Sequence, residues 1–138
     1  MFLFVVTSFQ GWLMIFQDGH AVGAPNDSPG LPLLNWSLTG GDLRVSHFIG
    51  LHALQVLPIT GYYASRWTGG SSRRALGAVG IVSTLYASFV GLTFVQALRG
   101  TPFVGTSTIP ELPPSAIAAG LLLSLAGGIA VFALFWRR

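Results

Sequence analysis

The chain has 138 residues, 51% of them hydrophobic and only 8% charged, with a mean hydropathy of +0.66, a balance far from that of an ordinary water-soluble domain. All seven basic residues are Arg, which excludes a Lys Schiff base, retinal attachment and a phosphate-loop lysine. With no Cys, disulfides, thiolate nucleophiles, iron–sulfur clusters and covalent c-type haem are excluded as well, while non-covalent haem stays open.

The apolar residues fall in four blocks, at 2–16, 43–65, 75–98 and 115–136, and the pattern predicts a single all-α domain, an integral membrane four-helix bundle with an ordered Gly/Pro-rich outer loop. The first block is 15 residues long, about 22 Å as a helix and short of the roughly 30 Å hydrocarbon layer. It lacks the basic flank of a signal peptide and is expected to be retained as a short or tilted helix. The same missing flank leaves room for natural chain upstream of Met1.

Between the first and second blocks runs DGHAVGAPNDSPGLPLLNWSLTGGD, from Asp18 to Asp42. Its length and its Pro and Gly content point to an ordered cap with Leu31, Leu33, Leu34 and Trp36 turned to the bundle or the membrane interface. The carboxylates Asp18, Asp27, Asp42 and Glu111 all stand outside the apolar blocks, an arrangement unlike that of a carboxylate-driven pump. Arg66, Arg73, Arg74, Arg137 and Arg138 gather on one side against Arg44 and Arg99 on the other. That asymmetry predicts both termini cytoplasmic, and the short Arg-only, Gly/Ala-rich composition points to a bacterial inner-membrane protein. A basic nucleic-acid groove is not expected despite a pI near 10.2, because the arginines are few and set by topology.

The second block carries the chemistry. Arg44, His47, His52 and Gln55 lie in its first half, where polar side chains require a protein or ligand partner. On one continuous helix His47 and His52 are about 140° apart, so they cannot share one metal ion. A metal set would need His20 or Asp27 from the outer loop, or Asp42 at the helix start, to join a histidine such as His47; alternatively, His47 or His52 serves as axial ligand to haem b or a chlorophyll-type pigment. Gln55 and Arg44, with His52, are also candidate donors to a quinone or lipid headgroup. The bland alternative is that both imidazoles are neutral and hydrogen-bonded within the protein.

The third block holds a stripe of small residues, Gly77, Gly80, Thr84, Ala87 and Gly91, and the fourth repeats Ala116, Gly120, Ser124 and Gly128 every four residues. Both read as helix-packing faces in which close backbone contact replaces the missing hydrophobic drive. The segments GHAVG, PGLPLLNWS and GDLRVSHFIGLHALQVLP, within residues 19–60, resemble a set of small bacterial membrane proteins sharing a GDLR..HF.GLHALQ.LP pattern. In that pattern the first helix begins further upstream. The resemblance implies a multi-span membrane protein, singles out His20, His47, His52 and Gln55, and carries no known activity. The leading functional expectation is a non-catalytic accessory subunit of a larger respiratory or photosynthetic membrane complex, with the lipid bilayer and other subunits as partners. A haem, pigment or divalent-metal protein is one alternative, and a quinone- or lipid-handling redox protein is the other.

Overall fold

The computed structural model describes residues 2–104. They form α1 (Phe2–Phe16), β1 (Ala21–Val22), β2 (Gly41–Asp42), α2 (Leu43–Leu51), α3 (Ala53–Trp67) and α4 (Ser72–Leu98). The strands β1 and β2 pair antiparallel, Ala21 opposite Asp42 and Val22 opposite Gly41, and this two-residue ladder closes the Gly/Pro-rich loop on itself.

Three helices end in the same way. After α1, α3 and α4 the chain enters the left-handed region at Asp18 (φ 55°), Gly69 (φ 61°) and Gly100 (φ 72°). The next amide then reaches back to a carbonyl in the last turn: Gly19 N to Met14 O, Gly70 N to Ser65 O, and Thr101 N to Gln96 O. This six-to-one closure satisfies carbonyls that a helix end otherwise leaves open. Glycine supplies the positive φ without strain at two of the three sites.

The second apolar block is divided. His52 (φ −69°, ψ −6°) caps α2 and precedes α3, so the expected helix over 43–65 is two helices of nine and 15 residues. Pro58 stands inside α3 and does not end it. Together α2 and α3 run antiparallel along α4. Gly41 abuts Ala97, the Tyr86 hydroxyl donates to Ile49 O at 2.5 Å, and Gly61 faces Val79. The cap therefore sits at the C-terminal end of α4, and Arg66, Arg73 and Arg74 sit at the other end.

The four-helix membrane bundle expected from the hydropathy blocks is corrected by these lengths. Among the described residues one helix, α4, is long and apolar enough to cross a membrane. At 1.5 Å per residue α1 and α3 reach only about 22 Å and α2 about 14 Å, less than the hydrocarbon thickness. The expected helix over 115–136, with Ala116, Gly120, Ser124 and Gly128, lies outside the described residues.

Polarity is distributed inside out. Thr7, Gln10, Ser37, Asp42, Ser46, Thr93 and Thr101 are buried, and apart from Leu43, Val45 and Val90 the buried apolar residues are alanines. Phe9, Trp12, Ile15, Phe16 and Trp67 are exposed. The α1–α2 contact explains the pattern, because it is made by small and polar side chains. A side chain on Gly50 would collide with Thr7, and one turn away Ser46 Oγ donates to Gln10 Oε1 at 2.9 Å. Ser46 and Gly50 are four residues apart and form the small-xxx-small face of this contact.

Candidate functional site

The candidate site lies where the cap meets the start of α2, and Asp42 is its centre. Its carboxylate is completely buried, and its oxygens accept from the Ser37 amide at 2.9 Å and the Arg44 amide at 3.0 Å. They also accept from Arg44 Nε at 3.0 Å and Nη2 at 2.7 Å. Asp42 thus acts at once as N-cap of α2, as an acceptor for the Ser37 turn and as the bidentate partner of a guanidinium. Burial pushes its pKa up, but the hydrogen bonds from the Arg44 side chain and from the Ser37 and Arg44 amides, with the Arg44 charge, outweigh that effect. The carboxyl consequently titrates below its ordinary value.

Arg44 Nη2 also donates to Asn35 O and so ties the loop to the helix. His20 Nδ1 is 3.5 Å from Asp42 Oδ1. That nitrogen is buried and makes no hydrogen bond. The main chain holds His20 in place, since its amide donates to Asn26 Oδ1 and its carbonyl accepts from the Leu43 amide, both at 3.0 Å. The Asn26 side chain, which also accepts from Ala21 N and donates to Asp18 O, orders the turn before β1.

His47 and His52 each bond a different main-chain carbonyl. His47 Nδ1 bonds Thr7 O of α1 at 2.7 Å, and the ring lies over Gly11, where a Cβ would stand 3.2 Å from His47 Cε1. His52 Nδ1 bonds Phe48 O, one turn back, also at 2.7 Å. A carbonyl only accepts, so Nδ1 carries a proton in both rings, and the lone pair of the corresponding tautomer is on Nε2. A ring nitrogen held in this way by a carbonyl is common for metal- or haem-ligating histidines. Only His52 is exposed; its ring lies 4.3 Å from Phe48. Phe48 continues into an aromatic edge of Trp36, Phe103 and Phe89, with successive ring centroids 6.2, 5.8 and 6.5 Å apart.

Of the residues singled out by sequence, His20, Asp42 and Arg44 come together. His47 is engaged by α1 and does not join them, and no group of three or more potential metal ligands occurs among the described residues. Gln55 is exposed on α3, beyond the turn at His52. Along the α4 stripe Gly77 is buried, whereas Ala87 and Gly91 line an apolar cleft of about 420 Å³ against Leu3, Val6 and Leu13 of α1. Thr84 bonds its own helix at Gly80 O. The partners that sequence reading missed are Thr7, Gln10, Ser46, Ser37, Asn26 and Tyr86. The four-residue spacing of Ser46 and Gly50 was the one available signal, since the others depend on contacts distant in sequence. No family model, curated protein or solved structure matches this chain.

Proposed function

We propose that the chain is a non-catalytic accessory subunit of a larger membrane complex of the respiratory or photosynthetic kind, held in a bacterial inner membrane by α4. The observation that carries the membrane part is the inverted polarity. Only 11% of the most apolar stretch of α4 is buried, whereas a soluble core helix is mostly covered. Large apolar side chains look outward while Asp42, Ser46, Thr7 and Gln10 look inward.

The non-catalytic part is supported by how the charges are used. Asp42 and Arg44 are consumed in holding the cap, through the Ser37 amide, the Arg44 amide and the Asn35 carbonyl. What the site offers outward is the aromatic edge of Phe48, Trp36 and Phe103, a composition enriched in the cores of protein interfaces. A photo-crosslinking residue at Phe48 tests this reading. It is expected to capture a discrete membrane polypeptide in native membranes, and crosslinks to lipid alone would contradict it.

One observation favours a second reading, in which His52 binds a haem or a chlorophyll-type pigment. Its Nδ1–H is anchored and its Nε2 lone pair is exposed beside an aromatic wall, a suitable axial ligand. His47 serves less well, because Gly11 lies under its ring. A visible absorption band lost in His52→Ala and kept in His47→Ala would support this reading; a colourless wild-type protein from native membranes would end it.

A further inference from the structure

Residues 28–41 contain no charged side chain, and within them the chain folds into a narrow loop. Leu31 N donates to Trp36 O at 2.8 Å, Asn35 N to Leu31 O at 2.7 Å and Leu38 N to Pro29 O at 3.0 Å, and Gly30 bridges Ser37. At its tip Leu33 adopts φ 70° and is 104% exposed, with Leu34 at 48%. A bulky residue rarely occupies that backbone region. Here the strained turn lifts Leu33 fully into the open and leaves Leu34 half-exposed beside it.

The base of the loop is rigid. Ser37 N is held by Asp42, Asn35 O by Arg44, and Trp36 by Phe48 and Phe103. These contacts also set its depth. After the C-terminus of α4 the chain turns back along the helix, with Gln96 Nε2 donating to Pro102 O at 2.7 Å, which brings Phe103 against Phe89. Phe89 is nine residues before Leu98, about 13 Å down the helix axis. Trp36 also packs on Phe48, and the neighbouring Ile49 O accepts from Tyr86 of α4, so the base of the loop stands beside the C-terminal half of α4 rather than beyond its end.

We infer that the Leu33–Leu34 tip is a monolayer anchor that inserts into the outer leaflet beside α4, its partner being the lipid surface itself. The inference rests on the membrane reading proposed above. Its chemistry is burial of two uncharged aliphatic side chains at the headgroup boundary, with Trp36 behind them and the polar part of the cap, Asp18, Asn26 and Asp27, left to water.

The native chain has no Cys, so single nitroxide labels can be placed at Leu33→Cys, Asp27→Cys and Ala87→Cys in the full-length protein. Each is reconstituted in phosphatidylethanolamine/phosphatidylglycerol vesicles, and its collision rates with oxygen and with a water-soluble nickel chelate are compared. Oxygen collisions exceeding nickel collisions at 33, with the order reversed at 27, are expected. Nickel access at 33 equal to that at 27 would overturn the anchor. So would shielding of 33 from both reagents, which would place the tip against protein. The α4 label separates the two claims: oxygen-rich at 87 with nickel access at 33 defeats the anchor alone, and nickel access at both defeats the membrane reading too.

Discussion

Replacing Asp42 by Asn keeps the shape of the side chain and removes its charge. One of its two buried oxygens becomes an NH2, which faces N–H donors from Ser37 or Arg44 and can accept from neither. Cutting a buried ion pair by removing one partner costs about 3–5 kcal/mol. Because the Arg44 side chain is 29% exposed, water recovers part of its solvation, so we expect roughly 2–4 kcal/mol. Expressed as local opening of the cap, that is an acceleration of amide exchange by about 30- to 900-fold. The reporters are the amides of Leu31, Leu38 and Leu43, which bond to Trp36 O, Pro29 O and His20 O and not to Asp42 itself. Exchange is followed on the solubilised protein at a pH where wild type and variant are both folded. Rates within about threefold of wild type, under 1 kcal/mol, would refute the view that Asp42 organises the cap.

The same carboxylate sets an acid limit. Its folded-state pKa lies below the ordinary 3.8, so its contribution is complete above that value and disappears as the pH falls through the lower folded-state value. Protection of the cap amides, taken as exchange relative to the intrinsic rate at each pH, is thus expected to stay constant down to about pH 4 and to fall below it, and Asp42→Asn should abolish that step. Gly50→Leu should drive a side chain into Thr7 and lower the melting point of the detergent-solubilised protein, at a cost of about 1–3 kcal/mol. Gly91→Leu, where nothing lies within 4 Å, is the control and should not destabilise the protein, since replacing a glycine inside a helix gains up to about 1 kcal/mol of helix propensity. Equal effects at the two glycines would contradict the packing described for α1 and α2.

Hydropathy alone revealed α1 and most of α4, because a run such as that from Ala75 to Leu98 requires no distant contact to be read as helix. The division at His52 was hidden. The block from Leu43 to Ser65 is continuously apolar, and its obvious breaker, Pro58, sits harmlessly in α3 while an ordinary-looking His caps α2. Counting apolar length therefore overestimated the number of spans among the described residues.

The site was legible in part. Arg44 and Asp42 stand two residues apart at a helix start, a pattern that marks a cap and an ion pair together, and His20 could be brought to them only by the pairing of β1 with β2. The partners of the two histidines, Thr7 O and Phe48 O, are main-chain carbonyls, and residue identity carries no trace of them. The inverted polarity was also invisible in advance, since which face of α1 or α2 turns inward depends on the small contact surface formed by Gly50, Ser46 and Thr7.

The accessory-subunit account is tested most directly by the native size of the tagged chain, extracted from its own membranes in a mild detergent. The account predicts that the chain, 14.6 kDa alone, migrates in a much larger particle with other polypeptides in fixed ratio. Migration as a lone chain or small homo-oligomer, with no companion polypeptide, would contradict it.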